Sequence, residues 1–310
     1  MEHKPATEKQ ENEQNQAYRY ALNENRPLKK SRWTGVFYIV VSAFCYSLMS
    51  LFVRLSGDLP TFQKSFFRNL IAALVALAAL TKSKNFKMKK GSLPALLARS
   101  IAGTVGIVCN FYAIDHMHIS DASILNKLAP FFAILFSVFL LKERSKFKDY
   151  LLVALAFCGA LFVVKPSFDF SQTLPALLGV LGGLGAGLAY TCVRYLGKRG
   201  ERTAFIVFFF SAFSCLAVLP IVVIQYEPMS LSQLLFLLLA GCAASGAQFS
   251  VTAAYTYAPA KEISVYDYSQ VLFTALWGAL FLSEYPDVYS VIGYVIIIGA
   301  AVIRSLLHGN

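Results

Sequence analysis

Long apolar stretches separated by short polar segments run along the chain from Trp33 to Leu307. A helix that crosses the hydrocarbon core of a membrane needs about 20 mostly apolar residues, and ten stretches approach or reach that length. The predicted spans are residues 34–55, 62–81, 92–112, 122–141, 148–164, 174–196, 203–225, 232–255, 263–282 and 288–307. The pattern therefore predicts an all-α integral membrane protein with ten transmembrane helices.

The composition agrees with a membrane protein. Hydrophobic residues make up 57% of the 310 residues and charged residues 15%, which is too apolar a balance for a water-soluble domain of this length. Residues 1–32 are polar and mixed in charge, and they are predicted to form a disordered cytosolic tail rather than a cleaved signal peptide. All six cysteines fall within predicted spans, so no disulfide framework is expected.

The positive charges are distributed unevenly between the two sides of the predicted membrane. The net charge is +11, which could also suit a nucleic-acid partner. The cations cluster in the tail and in alternate loops, at residues 82–90, 142–148 and 198–202, whereas the intervening loops contain Arg54, Lys64 and Lys165. By the positive-inside rule, both termini are expected in the cytosol of a protein in the plasma (cytoplasmic) membrane. No nucleic-acid partner is expected.

The second half of the chain resembles the first at an offset of about 141 to 144 residues. In one match, Gly35-Val36 and Cys45-Tyr46-Ser47 align with Gly179-Val180 and Ala189-Tyr190-Thr191. In another, Ala113, Ser123, Phe132, Glu143 and Ala160 align with Ala254, Ser264, Phe273, Glu284 and Ala301. The predicted domains are the tail, a first five-helix repeat over residues 33–165 and a second over residues 174–307.

Five helices are an odd number, so the two repeats are predicted to enter the bilayer in opposite orientations. Glu143 then lies at the cytosolic end of span 4, beside a basic loop, while its equivalent Glu284 lies at the external end of span 9. Inverted repeats place a solute site near the membrane midplane at their interface and allow the two halves to rock against each other.

Leu128-Ala129-Pro130 is followed by an apolar run to Glu143, with Arg68 early in span 2 and Tyr112-Ala113 at the end of span 3. This set of residues resembles the drug/metabolite transporter superfamily, in its ten-helix EamA-type branch, whose helix 4 signature is similar to the run from Leu128 to Glu143. The resemblance covers residues 34–307. It implies a secondary carrier of small metabolites, monomeric or weakly associating and frequently an exporter of amino acids or related compounds. Val271 stands where the first repeat has Pro130, so a kink in span 9 does not follow from the resemblance.

Ionisable and amide side chains inside the spans are costly and are therefore candidates for a solute pathway. Spans 4 and 9 each place polar or small residues on one helical face, and the two faces are predicted to line one cavity. Close helix packing is the alternative explanation for the small residues, and buried packing is the alternative for the two tyrosines. The candidate pathway residues are Tyr46, Arg68, Arg99, Asn110, Asn126, Lys127, Tyr190, Gln248, Asp267 and Gln270.

The depths of Lys127 and Asp267 decide whether they can pair. Counted along straight helices from Glu143 and Glu284, the two side chains lie about 20 Å apart in depth, so a direct ion pair is not expected. Instead, Lys127 and Arg68 are expected in the outer vestibule, while Asp267 faces Arg99 on the inner side until a solute or a proton releases it. Three cations against one carboxylate favour a solute with an anionic group, such as an amino acid or an organic acid.

Two smaller motifs have ordinary explanations as well as functional ones. Gly179, Gly183 and Gly187 recur every four residues, which predicts close packing within a monomer, with a homodimer contact as the alternative. His116 and His118 lie in a short external turn that is expected to be an ordinary loop, with a pH-sensitive cluster as the alternative. No metal site is expected there, because further ligands are missing from the turn.

The sequence contains no motif of a familiar enzyme or ATPase. It has no Walker A loop, no His-Glu-x-x-His and no Gly-x-Ser-x-Gly. We therefore expect neither an enzyme nor a cofactor. The predicted function is secondary active or exchange transport of a small metabolite by alternating access, as in metabolite efflux, with coupling to a proton or to a counter-solute left open. A non-transporting membrane receptor or assembly factor is the alternative.

Overall fold

The structure is a computed structural model that describes residues 32–83, 88–140, 147–164, 170–257 and 265–308. Residues 1–31 of the predicted tail lie outside these ranges, as do Glu143, Lys165, Ser264 and parts of the basic segments 82–90 and 142–148. The described part of the chain is helical and contains no β-strand.

The helices follow one another with short connections. They are α1 (Arg32–Leu55), α2 (Thr61–Ser83), α3 (Leu93–His116), α4 (Ile119–Asn126), α5 (Ala129–Leu140), α6 (Phe147–Val164), α7 (Phe170–Lys198), α8 (Thr203–Ile224), α9 (Leu231–Tyr257), α10 (Ser269–Trp277) and α11 (Val288–His308). A π-helical turn, Gly278–Leu282, continues α10. Predicted span 4 is thus divided into α4 and α5, and predicted span 9 contains α10 and the π-helical turn.

Within the described residues, seven helices are long and apolar enough to cross a membrane. They are Trp33–Leu55, Thr61–Lys82, Leu93–His116, Ile119–Leu140 (α4 and α5 taken together), Thr173–Lys198, Thr203–Ile224 and Leu231–Ala254. Two further apolar helices are shorter, Tyr150–Val163 and Val288–Ile303. The protein is therefore an all-helical, multi-pass membrane protein.

The outer surface of the helices is strongly apolar. Phe139, Ile224 and Leu231 are each at least 80% exposed, and many other large apolar side chains also point outward. Such a continuous apolar surface is rare on water-soluble monomers, where it would be an aggregation hazard. In this molecule it provides the contact with lipid.

The principal helix contacts join the two halves of the chain in matching pairs. α1 packs on α9 and α3 packs on α7, while α2 packs on α8 and α6 packs on α11. If each helix of the first half is exchanged for its counterpart in the second, this set of contacts is unchanged. The core of the protein is therefore built by interleaving the halves rather than by placing two separate bundles side by side.

Hydrogen bonds at the ends of the helices show in which direction the helices run. Arg54, near the end of α1, donates to the carbonyl of Ile114 near the end of α3 at 2.9 Å, so α1 and α3 end together. Arg199, just after α7, donates at 2.9 Å to the carbonyl of Gly91, just before α3. α7 therefore runs opposite to α1 and α3. We call the two ends of the bundle the Arg54 end and the Arg199 end.

The turn after α7 shows how the sequence ends a helix at the Arg199 end. Gly200 adopts φ +74°, a left-handed conformation that glycine reaches without steric cost. The N–H of Glu201 then donates to the carbonyl of Leu196 at 3.0 Å, so that a carbonyl of the last turn keeps a partner. The carboxylate of Glu201 in turn accepts from the backbone N–H of Lys89 at 3.1 Å. These contacts place the connection that precedes α3 next to the connection between α7 and α8.

Candidate functional site

Two helix interruptions lie at equivalent positions of the two halves. Lys127 and Leu128 form a turn between α4 and α5, and Tyr268 forms a turn between the helical residues 265–267 and α10. The hydroxyl of Tyr268 donates to the carbonyl of Lys127 at 3.0 Å, which satisfies a backbone group that the interruption releases. Irregular backbone is tolerated at membrane depth where protein surrounds it, so these turns mark the centre of the bundle.

The second interruption forms without a proline. Pro130 lies in the first turn of α5, where its missing N–H costs nothing. Its equivalent in the second half is Val271, yet the chain still turns just before it, at Tyr268. The absence of a second proline was therefore no obstacle to a break in span 9.

Lys127 and Asp267 form a direct ion pair. The ammonium nitrogen of Lys127 lies 2.6 Å from a carboxylate oxygen of Asp267, and each residue is only 4% exposed. The prediction that these side chains lie too far apart in depth was wrong. It counted both depths from Glu143 and Glu284 and assumed that these residues mark the two faces of a core of fixed thickness. The ion pair shows instead that the two helix interruptions, at Lys127 and Tyr268, lie next to each other.

A cavity lies beside this ion pair, between helices of both halves. Its volume is about 70 Å³, far below the roughly 300–1,000 Å³ of sites that enclose small organic ligands. A solute of ordinary size therefore fits only when the surrounding helices move apart. All of the predicted pathway residues except Asp267 line the cavity: Tyr46, Arg68, Arg99, Asn110, Asn126, Lys127, Tyr190, Gln248 and Gln270.

The two arginines of the cavity share one aromatic neighbour. The guanidinium carbon of Arg99 lies 3.8 Å from the ring centroid of Phe210 on α8, and that of Arg68 lies 5.9 Å from it. Arg99 also donates to the amide oxygen of Gln248 at 3.4 Å, and Arg68 donates to the amide oxygen of Asn69 at 2.5 Å. The ring thus holds both cations through cation–π attraction.

Both arginines remain short of partners. They are 1% and 3% exposed, and the Nε–H of each is buried without a hydrogen-bond acceptor. Within the described ranges, neither Arg68 nor Arg99 has a carboxylate at ion-pair distance. The expectation that Asp267 faces Arg99 was wrong, because its carboxylate is taken by Lys127. Arg68 and Lys127 also do not form a separate vestibule, since they line the same cavity as Arg99.

The tyrosines and amides complete the wall. Tyr46 on α1 and Tyr190 on α7 occupy equivalent positions and are joined by a side-chain hydrogen bond. Asn110 lies on α3, with a buried amide oxygen that has no partner. Because the oxygen and nitrogen of an amide can exchange places by a flip, Asn110 can present either an acceptor or a donor to a solute.

Phe210 is the main wall residue that the sequence analysis missed. It lies in an apolar span rich in phenylalanine, so no local pattern distinguished it from a lipid-facing or packing residue. Gly103 was missed as well, although a Cβ atom there would lie 2.7 Å from the Phe210 ring. Gly103 lies one turn after Arg99 on α3, and both residues lie against the ring of Phe210.

The predicted glycine face packs inside the chain. A Cβ atom on Gly183 would lie 2.7 Å from the carbonyl oxygen of Leu125, and one on Gly187 would lie 2.7 Å from that of Ala129. α7 therefore contacts the backbone of α4 and α5 closely at this face. These glycines allow the interrupted helix to approach the cavity.

An ion-pair network closes the bundle at the Arg54 end. One carboxylate oxygen of Glu284 accepts from Arg54 at 3.0 Å, and the other accepts from the backbone N–H of Ile119, the first residue of α4, at 3.0 Å. Arg54 also reaches the carbonyls of Ile114 and Asp115, and the carboxylate of Asp115 pairs with Lys64 at 2.7 Å. We call these contacts the Glu284 network. It links α1, α2, α3 and α4 to the segment that follows the π-helical turn.

Backbone geometry directs Glu284 toward this network. Ser283 adopts φ 54°, a left-handed conformation uncommon for residues other than glycine. The N–H of Glu284 donates to the carbonyl of Gly278 at 3.0 Å, which closes the π-helical turn. The chain therefore reverses just before the carboxylate that holds α1 and α4.

The histidines of the turn between α3 and α4 are engaged locally. His116 stacks on Tyr112, with ring centroids 4.0 Å apart, and His118 lies 3.8 Å from the carboxylate of Asp121. Tyr294 donates to the same carboxylate at 2.6 Å. In the part of the chain that the structure describes, no group of three or more His, Cys, Asp or Glu side chains is arranged to hold a metal ion.

Comparison with known proteins identifies the family. The sequence profile of the EamA-like transporter family matches residues 33–165 and, a second time, residues 173–306. The chain belongs to the EamA-like transporter family. The resemblance drawn from Leu128-Ala129-Pro130 and its neighbours is thereby confirmed.

Several named proteins share most of their length with this chain. It is similar to the pseudopaline exporter CntI of Pseudomonas aeruginosa, with 34% identity over 88% of this chain and 96% of that protein. It is also similar to solute carrier family 35 member G1 of Homo sapiens, with 24% identity over 86% of this chain and 78% of that protein. The S-adenosylmethionine uptake transporter of Rickettsia prowazekii is 21% identical over 87% of this chain and 92% of its own length.

The EamA-like fold is also found among solved structures. One crystal structure superposes with a TM-score of 0.65 over 89% of this chain and 98% of that chain, at 18% sequence identity. At this identity the match establishes a shared fold. The named relatives are transporters rather than enzymes.

Proposed function

We propose that this protein is a secondary active or exchange transporter of a small metabolite with an anionic group, such as an amino acid or an organic acid, and that it works as an exporter. One observation carries the proposal. Two buried arginines without carboxylate partners, in the described part of the chain, face a cavity at the interface of the two halves. The positive charge of such a site favours an anionic ligand, since burying an unpaired cation is costly.

The proposed architecture has ten transmembrane helices in two inverted repeats, over residues 33–165 and 174–307. The twofold match of the family profile supports it, as do the opposite directions of α1 and α7. The contact pattern supports it too, because exchanging the halves leaves the pairs of packed helices unchanged. In this arrangement α4 with α5, and residues 265–267 with α10, form the fourth and ninth spans.

The positions of the cavity and of the closing contacts support alternating access. The Glu284 network closes the Arg54 end, and the contacts of Glu201 and Arg199 hold loops together at the other end. Rocking of one repeat against the other would break one set of contacts at a time and expose the cavity to one side at a time. The small volume of the cavity fits an intermediate closed at both ends.

The positive-inside rule gives the proposed orientation. The cytosolic side would be the Arg199 end, where the basic segment 198–202 lies, and the Arg54 end would face outward. Both termini would then be cytosolic, in the plasma membrane. Relatives named as an exporter and as an uptake transporter show that both directions occur among similar proteins. The proposal of export rests on the similarity to the pseudopaline exporter of Pseudomonas aeruginosa, which is 34% identical.

Energy for transport would come from a gradient or from exchange, with a proton or a second solute as the coupled species. Asp267 is the proposed coupling group, because it is a buried carboxylate next to the cavity whose partner Lys127 contacts the same space. The glycine face of α7 is occupied by α4 and α5 of the same chain, which supports a monomer as the working unit.

Counterflow in proteoliposomes tests transport directly. Purified protein would be reconstituted with a high internal concentration of an unlabelled amino or organic acid, and the uptake of the same labelled compound would be followed. A transporter accumulates label transiently, whereas a receptor or an assembly factor binds without exchange. A panel of amino acids, organic acids and nucleosides that gives no counterflow would contradict the proposal.

Topology is tested separately by cysteine labelling in intact cells. Cysteines introduced at Glu143 and Glu284, in a chain without its own six cysteines, would be exposed to a membrane-impermeant reagent. The proposed inversion expects labelling at 284 from outside and at 143 only after permeabilisation. Emergence of both positions on one face would exclude inverted five-helix repeats.

A further inference from the structure

The charges around the cavity do not balance. Lys127 and Asp267 neutralise each other at 2.6 Å. Arg68 and Arg99 remain, both buried and both without a carboxylate at ion-pair distance among the residues the structure describes. The cavity therefore carries two positive charges that no carboxylate among the described residues neutralises.

The two arginines are close enough to act on one small molecule. Their guanidinium carbons lie 3.8 and 5.9 Å from the centroid of the same Phe210 ring, and both side chains line the same cavity. The Nε–H of each is buried and has no acceptor. Each guanidinium thus keeps a donor that an anionic oxygen could satisfy, and such charge-assisted hydrogen bonds are the strong ones.

We propose that the site selects solutes with a net charge of minus two, either dicarboxylates or phosphate monoesters. This rests on the proposed function and narrows its substrate class from amino acids and organic acids in general to solutes that carry two negative charges. A dianion pairs with Arg68 and Arg99 together, so that no buried cation is left uncompensated. A monoanion of the same size leaves one arginine buried and unpaired, which is unfavourable in a medium of low dielectric constant.

The Lys127–Asp267 pair does not change this preference. A zwitterion could replace the pair by offering an ammonium group to Asp267 and a carboxylate to Lys127. That exchange forms as many ion pairs as it breaks and still leaves both arginines without a counter-charge. The expected order of affinity is therefore dianion, then monoanion, then net-neutral zwitterion.

Thermal stabilisation of the purified protein measures this order without requiring transport. Four probes would be titrated at about pH 8, where succinate and phosphate monoesters are both dianions. They are succinate, its monoamide succinamate, glycerol phosphate and alanine. We expect succinate or glycerol phosphate to stabilise the protein at concentrations about tenfold or more below those of succinamate, with alanine the weakest. Comparing the first and third probes separates the two sources of dianions.

Single variants test the assignment to the arginines. Arg68→Gln and Arg99→Gln each remove one of the two excess charges, so the preference should shift from succinate to succinamate. Arg68→Lys keeps the charge and should keep the preference for a dianion. Arg194→Gln changes an exposed arginine on α7 and serves as the matched control, with no change of order expected.

Each outcome bears on the proposal. Equal stabilisation by succinate and succinamate, a stronger effect of alanine, or no effect of any probe would overturn it. So would an unchanged dianion preference in whichever arginine variants fold. These results are distinct from a failure of transport, because absent counterflow with an intact dianion preference would contradict the proposed function alone.

Discussion

The ammonium group of Lys127 and the carboxylate of Asp267 meet where both halves of the chain interrupt a helix. Asp267 aligns with Asn126, and Tyr268 aligns with Lys127, so the pair links neighbouring positions across the internal repeat. Tyr268 also donates to the carbonyl of Lys127. An ion pair and a hydrogen bond thus connect the two halves at one point beside the cavity.

Removing the charge of Asp267 should destabilise the protein more than removing both charges. Asp267→Asn leaves the Lys127 ammonium buried without a counter-charge, which costs about 3–5 kcal/mol in comparable sites. The double variant Lys127→Met with Asp267→Asn removes that penalty and should recover much of the lost stability. Thermal unfolding in detergent measures both, and Asp58→Asn, on an exposed carboxylate, is the control.

Single variants of the two residues test the part that the ion pair plays in transport. Lys127→Met and Asp267→Asn should each lower the counterflow rate, because each removes a group at the wall of the cavity or its partner. Unchanged rates in both variants would exclude these residues from the mechanism, whatever their effect on stability.

The aromatic ring of Phe210 should stabilise the protein beyond what an apolar side chain of similar size contributes. Phe210→Leu keeps an apolar side chain but removes the π face above Arg99, and the expected loss of stability is about 0.5–2 kcal/mol. Phe210→Tyr retains the ring and should behave like the natural protein. Phe139→Leu makes the same exchange on an outward-facing side chain. Equal unfolding temperatures for Phe210→Leu and the natural protein would show that the ring contributes nothing.

Weakening the Glu284 network should open the Arg54 end of the bundle. Glu284→Gln removes the charge that holds Arg54 and the N-terminus of α4. The readout is alkylation of Asn110→Cys, in a chain without its own cysteines, by an impermeant thiol reagent added from the outside, and its rate should rise severalfold. Glu227→Gln is the matched control, since its exposed side chain lies in the connection that precedes α9. A slower or unchanged reaction in Glu284→Gln would contradict a closing role.

Close backbone contact between α3 and α7 should be sensitive to one added methyl group. A Cβ atom on Gly185 would lie 2.6 Å from the carbonyl oxygen of Ala102 and 2.9 Å from Gly106. Gly185→Ala should therefore force the helices apart and lower the unfolding temperature. Gly197→Ala meets nothing within 4 Å and should be neutral or stabilising by up to about 1 kcal/mol, since alanine favours helix. Equal effects of the two substitutions would argue against a tight contact.

Much of the fold was predictable because the membrane imposes strong rules on sequence. Apolar stretches located the helices that the structure describes, although predicted spans 4 and 9 are interrupted, and the two family matches agree with an internal repeat. The residues of the cavity wall were also predictable, since charges and amides at membrane depth are rare and need a reason. Tyr46 and Tyr190 were expected either to flank the solute or to pack in the core, and the structure places both at the cavity, joined by a side-chain hydrogen bond.

The contacts between the wall residues were not predictable in the same way. Residue counting gives a depth only relative to residues whose own depth is known, and Glu143 and Glu284 were assumed to mark the two faces of the core. The turns at Lys127 and Tyr268 have no distinctive sequence beyond Pro130. Phe210 has no signal of its own because a phenylalanine suits lipid, a packed core and a cation equally well. Its role depends on Arg68 of α2 and Arg99 of α3, and only the tertiary structure brings these side chains to the ring.

The stretch from Asp267 to Glu284 belongs to both the cavity and the closure of the Arg54 end. Its first carboxylate holds Lys127 next to the cavity, and its last carboxylate holds Arg54 and α4. Between them lie α10, the π-helical turn and the left-handed Ser283, so a shift or rotation of this stretch moves both acids at once. One continuous stretch of backbone thus connects the Lys127–Asp267 ion pair beside the cavity with the Glu284 network at the Arg54 end.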